Sequence, residues 1–122
     1  MVLILEAIPY LNGRKSVAVI EGTLKSALYY ELNNRREPVL SVFGVNNYKA
    51  CKALLTDLKE LCPDLEQVDE CFDMDKLTNE DVAIGCKELE IICHELNLKY
   101  HSRKWNPQFK GIDDYAKWYF KK

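Results

Sequence analysis

The chain predicts an α/β fold of three layers, α/β/α, with helices on both faces of a central, mostly parallel sheet of about four strands. Three observations predict it. Short apolar runs rich in β-branched residues, such as Ser16-Val17-Ala18-Val19-Ile20, suit strands buried on both faces. Stretches of ten or more residues with apolar positions at helical spacing separate these runs. Turn and cap residues stand where one period gives way to the other: Glu21-Gly22, Gly44, Pro63 and Thr78-Asn79.

In chain order, residues 1–15 are expected to add an edge strand or hairpin, with Val2 to Ile8 extended and Asn12-Gly13 a turn dipeptide. Residues 16–120 form the core of a single domain spanning 1–122. The first buried strand ends at Glu21-Gly22, and Thr23 caps a helix to about Asn34 with Leu24, Ala27, Leu28 and Leu32 on its apolar stripe. Pro38 to Phe43 is the second strand, closed by Gly44. Asn46 or Asn47 caps a helix to about Cys62, and Pro63 follows. The third strand covers about Glu66 to Phe72. Thr78 or Asn79 caps a helix carrying Val82, Ile84, Cys86, Leu89, Ile92, Cys93 and Leu96. Leu98 to Arg103 is the fourth strand. A loop with Pro107 and Gly111 leads to an aromatic-rich helix from about Asp113.

A net charge of −2 on 122 residues gives no general basic coat for nucleic acid. A phosphate-backbone partner would need a local basic patch, a bridging metal ion or a second protein. Five cysteines, at 51, 62, 71, 86 and 93, form no C-x₂-C pair, and the odd count argues against a disulfide framework. They read as buried thiols in a reducing compartment. The opening MVLILEAIPY is too short and too interrupted for a signal core or membrane span, so a cytoplasmic protein is expected.

In open parallel sheets, ligands bind beyond the carboxyl ends of the strands. Glu21 follows the first buried strand, and Asp73 and Asp75 follow the third. Residues two apart in extended chain point to one side, so both aspartates can face one site. Hard oxygen donors at a loop edge suit Mg²⁺. Solvated loop acids and helix caps would give the same spacing, as would the single-phosphate receiver domains. One feature strains the fold: Val68-Asp69-Glu70-Cys71 puts two charges in a central strand. Either that strand is short, starting near Glu70, or one sheet face is less covered than usual.

These residues also resemble a family. Val17-Ala18-Val19-Ile20-Glu21-Gly22 is similar to the first motif of Toprim domains, and Phe72-Asp73-Met74-Asp75 to their D-x-D motif. Lys110-Gly111-Ile112-Asp113-Asp114-Tyr115 resembles the Lys-Asp-Pro-Asp-type segment of bacterial-primase Toprim domains. The combination E-G-x-x-K, D-M-D-K and K-G-I-D-D resembles Toprim-like domains of primase-like replication proteins on phages and mobile elements. The likeness runs from about Val17 to Tyr119. Lys25, where many primases have an acid, and Thr78-Asn79, where they have glycine, are departures that this subgroup shares.

The resemblance implies a Rossmann-like sheet whose first and third strands are neighbours, bringing Glu21 beside Asp73 and Asp75. It implies phosphoryl transfer on DNA or RNA dependent on Mg²⁺, with Mn²⁺ as a substitute, alongside another replication protein. Asp73 and Asp75 would hold the metal; Glu21 would be general acid/base or a water-mediated metal contact. Lys25, Lys110 and Arg103 are the candidate phosphate contacts, and Asp113 and Asp114 secondary acids. For Arg103 and His101 a structural role is the simpler reading. Tyr29, Tyr30, Trp118, Tyr119 and Phe120 read as core or docking residues rather than base-stacking platforms, and His94 as a surface residue. A non-enzymatic interaction module of a replication complex and a small stand-alone metal-dependent nuclease are the competing functions.

Overall fold

The computed structural model describes residues 2–3, 15–33, 37–42 and 48–120. Five strands, β1 (Val2–Leu3), β2 (Ser16–Glu21), β3 (Val39–Val42), β4 (Gln67–Glu70) and β5 (Lys99–Ser102), form one sheet in the order β1-β3-β2-β4-β5. Four are parallel, and β1 joins the edge antiparallel to β3. The expected edge strand is therefore present at Val2–Leu3; the rest of its span, with Asn12-Gly13, Gly44, Asn46 and Asn47, lies outside the described residues.

Helices α1 (Thr23–Leu32), α2 (Tyr48–Leu61), α3 (Glu80–Glu95) and α4 (Ile112–Phe120) complete the α/β/α arrangement. Alternation along β2 explains the layering. Val17 and Val19 face a core with Leu55 and Leu58 of α2 and Leu89, Ile92 and Cys93 of α3. Ala18 and Ile20 face the opposite core, with Tyr29 and Tyr30 of α1 and Ile112 and Ala116 of α4. All five cysteines are free thiols, four of them buried. No helix among the described residues is long and apolar enough to cross a membrane.

Three local expectations are corrected. α1 is rotated from its apolar stripe: Leu24 is 82% exposed and Ala27 exposed, while Ser26, Tyr29 and Tyr30 are buried. Two tyrosines bury more apolar area than small aliphatic positions do, and the Ser26 hydroxyl is satisfied by donating to the Gly22 carbonyl at 2.7 Å. Gly22, not Thr23, is the N-cap of α1. On α3 the cap is Asn79, whose side-chain oxygen accepts from the Asp81 and Val82 amides, but Ile84 faces solvent.

The charged third strand is neither uncovered nor begun late. β4 lies between β2 and β5 and ends at Glu70, and its two acids are buried with partners. Glu70 accepts from Lys76 Nζ (2.7 Å), Ser102 Oγ (2.6 Å), Tyr100 OH (2.9 Å) and the Phe72 amide (2.8 Å). Burial pushes the Glu70 carboxyl up, but these donors and the Lys76 charge outweigh it and hold it below its ordinary value. On the other face, Asp69 accepts from Arg103 Nη2 (2.8 Å) and Gln67 Nε2 (2.7 Å) and contacts His101 Nδ1 (3.2 Å).

Candidate metal and phosphate site

The site stands where β2 and β4 end. β2 gives way to α1 through Gly22, whose φ of +97° is a conformation that costs any residue with a Cβ. This sharp exit leaves Glu21 half-buried at the strand end and starts α1 at once, so that Lys25, one turn in, comes back over it. After β4 ends at Glu70, Cys71 and Phe72 lead to Asp73, the N-cap of a 3₁₀ turn at Met74–Leu77. The Met74 amide donates to the Lys110 carbonyl at 2.7 Å, tying the loop before α4 to this turn.

Lys25 Nζ donates to both oxygens of Asp73, at 3.1 and 3.2 Å. Burial pulls the Lys25 ammonium down, but the hydrogen bond and charge of Asp73, with the charges of Asp113 and Glu21, raise it above its ordinary value. Asp73 thus pairs directly with the ammonium, and Asp113 and Glu21 act on it through their charge alone. At Gly111 a Cβ would collide with Asp113 Oδ1 and stand 3.4 Å from Asp73 Oδ1, so these two carboxylates flank the glycine. Lys110 Nζ lies 3.8 Å from Asp75 Oδ2, and a pocket of about 270 Å³ opens beside this pair.

Two oxygens are anomalous. Asp75 Oδ1 and Asp113 Oδ1 are buried without a hydrogen-bond partner. A buried carboxylate oxygen left unpaired is costly unless a cation or donor completes it. Hard, anionic oxygens of this kind fit Mg²⁺. As the side chains stand, no three His, Cys, Asp or Glu groups among the described residues are arranged to hold a metal ion.

The structure pairs Lys25 with Asp73, sets Asp113 and Asp73 against Gly111, and leaves Asp75 beside Lys110, with Glu21 and Asp113 felt by Lys25 through their charge. It does not bring in Asp114, which is exposed on α4. The Arg103 guanidinium is taken up by Tyr29 OH (2.7 Å), Glu37 (3.1 Å) and Asp69 (2.8 Å), the structural role that is the simpler reading. The sequence reading missed Gly111 as the packing point between two aspartates. Its signal was the K-G-I-D-D spacing, which puts a residue without a side chain two before Asp113.

Two solved structures share this fold. One is the crystal structure of the primase fragment of the bacteriophage T7 primase-helicase, at 22% identity, a TM-score of 0.57, 82% of this chain and 38% of that one. The other comes from the bacteriophage T7 lagging-strand DNA polymerase interacting with primase domains bound to an RNA/DNA hybrid and dTTP. There the identity is 22% and the TM-score 0.54, over 88% of this chain and 50% of that one. This chain spans half or less of the chains it matches, and at this identity the likeness is one of fold. No curated protein matches the sequence. One family does: its sequence profile matches residues 10–118, and the chain belongs to that family, described as a domain of unknown function, DUF3854.

Proposed function

We propose that the chain is a Toprim-type, Mg²⁺-binding domain for primase-like processing of nucleic acid in the replication of a phage or mobile element. One observation carries this reading: Lys25 is paired with Asp73 and feels the charges of Asp113 and Glu21, while buried oxygens of Asp75 and Asp113 have no partner. Such a cluster of like charges is poised for a divalent cation. The primase-like fold supports the same reading.

Asp73 and Asp75 would hold the ion, with Asp113 the nearest further carboxylate and Mn²⁺ a substitute for Mg²⁺. When bound, the ion would neutralise charge developing on phosphate oxygens. Glu21, half-buried at the strand end, would serve as general acid/base or as a water-mediated metal contact. Lys25 and the exposed Lys110 are point charges on flexible stems, able to exchange their carboxylates for phosphate oxygens. The partners would be DNA or RNA together with another replication protein.

A thermal melt titrated with Mg²⁺ and then Mn²⁺ tests the metal. A cation binding only the folded chain at 100 times its Kd adds about 2.7 kcal/mol. The wild type should respond and Asp73→Asn/Asp75→Asn should not; equal responses would refute the site. Activity is tested with labelled single- and double-stranded DNA and RNA, and with nucleotide incorporation. Loss of either activity in Glu21→Gln supports catalysis here. Metal binding with no turnover would leave the interaction module, and cleavage without synthesis the nuclease.

A further inference from the structure

A second concavity, of about 340 Å³, lies between α1, α4 and the segment after β5. Its volume is within the range of small-ligand sites, roughly 300–1,000 Å³. None of the four acids of the site above lines it. Of its ten described lining residues five are aromatic, two are the cations Arg103 and Lys104, and none is a carboxylate. That is unusual for a chain whose net charge is −2.

The mouth is built from side chains that the core does not need. Tyr119 and Phe120 are 53% and 40% exposed, with ring centroids 5.1 Å apart and planes at 85°. The two rings therefore offer faces in perpendicular directions. Deeper, Trp105 is fixed by its Nε1–H donating to the Phe109 carbonyl at 2.6 Å. Tyr29 OH accepts from both Asn33 Nδ2 and Arg103 Nη1, so an amide and a guanidinium are held on one wall. Burial pushes Glu37 up to about 8, which weakens its charge against Arg103, and Lys104 is exposed with no ion pair among the described residues.

We propose that this pocket binds a nucleobase together with its phosphate. The base stacks on Tyr119 and Phe120, its polar edge meets the Asn33 amide, and the phosphate lies against Lys104, with the Arg103 charge behind it. Aromatic faces supply sequence-tolerant stacking and the cations supply charge complementarity, the pairing that single strands require. A free mononucleotide and a nucleotide of a single strand share this chemistry. The inference does not depend on the metal site.

The test is made in EDTA, so that the acidic site contributes no metal-bridged contact. Two probes are used on the full chain: dTMP, followed by quenching of tryptophan fluorescence, and a short fluorescein-labelled oligothymidylate, followed by anisotropy. Binding of both assigns a nucleotide pocket; binding of the oligonucleotide alone assigns a single-strand site. Tyr119→Ala/Phe120→Ala should weaken binding about tenfold or more. Lys104→Ala, at an exposed position that the fold does not use, should weaken it severalfold and flatten its salt dependence. The proposal is overturned if neither probe binds, or if both variants bind like wild type. It is equally overturned if sedimentation shows self-association through these residues and no nucleotide binding.

Discussion

Glu70 and Lys76 meet at 2.7 Å inside the fold, with 0% and 4% of their side chains exposed. Lys76 Nζ also donates to the Arg103 carbonyl at 2.6 Å and lies 5.1 Å from the Trp105 ring centroid. The pair thus links the end of β4 to the 3₁₀ turn that carries Asp75 and to the segment after β5. Lys76→Met should destabilise by about 3–5 kcal/mol, because it strands a buried carboxylate. The double change Glu70→Leu/Lys76→Met should recover much of that loss, since neither charge then remains. Urea unfolding of the wild type, Glu70→Leu, Lys76→Met and the double variant measures the coupling; a single variant as stable as wild type would dismiss it.

Glu37 and Asp69 pull stability in opposite directions with pH. Burial, helped by a hydrogen bond with Asp69, pushes Glu37 from its ordinary 4.5 up to about 8. The folded chain therefore holds that proton more tightly than the unfolded chain, and the Glu37 contribution to stability falls as pH rises from 4.5 to 8. Burial pushes Asp69 up too, but hydrogen bonds from Glu37, Gln67 and His101 and the Arg103 charge hold it below 3.8, so its contribution is lost as pH drops below that value. Glu37→Gln should flatten the fall in melting temperature between pH 4.5 and 8. An unchanged slope would put the proton elsewhere.

Gly111→Ala should damage the site more than the fold. The new Cβ meets Asp113 Oδ1, the end of a side chain that can shift, so a stability cost of about 1 kcal/mol is expected. The carboxylate must leave its place beside Asp73, and the Mg²⁺-induced rise in melting temperature should shrink severalfold. Full retention of that rise would remove Asp113 from the site.

Lys25→Met should tighten Mg²⁺ binding. The ammonium competes with a cation for Asp73, and removing it leaves three carboxylates without their shared counterion. Because the Lys25 side chain is 40% exposed, screening limits the gain to roughly tenfold. The midpoint of a Mg²⁺-dependent thermal shift reads it directly, and weaker binding would contradict the competition.

The sheet was legible in the sequence because β2 is buried on both faces, which produces an unbroken apolar run instead of an alternating one. Asn79 was legible because a cap satisfies donors within three residues. Glu21 was legible as a strand-end acid, but β4 stops at Glu70 and Asp75 lies in a 3₁₀ turn, not in the extended segment expected. The pairing of Lys25 with Asp73 was not legible, since a lysine suits a phosphate equally well. Asp113 rises from a secondary acid to a neighbour of Asp73 through one backbone hydrogen bond, Met74 to Lys110, that no local pattern encodes. The partners of Glu70 come from Phe72, Lys76, Tyr100 and Ser102, two of them a helix away. Only the fold joins them. The stripe of α1 misled because hydropathy ranks leucine above tyrosine, whereas the space between α1 and α4 takes the larger ring.

β2 sits at the middle of the sheet, with Ser16 beside Gln67 on one side and Ala18 beside Val39 on the other. Pairing of such distant segments requires a long loop to close before any ladder contact forms, and topologies of this kind fold slowly. The carboxylates at residues 73 and 113 come together beside Gly111, and their charges with that of Glu21 act on Lys25, only after that closure and after α4 has docked. A chain emerging during synthesis, or one partly unfolded, holds these acids as separate, hydrated groups with no shared charge field. The charge field at this cluster therefore exists only once folding is complete.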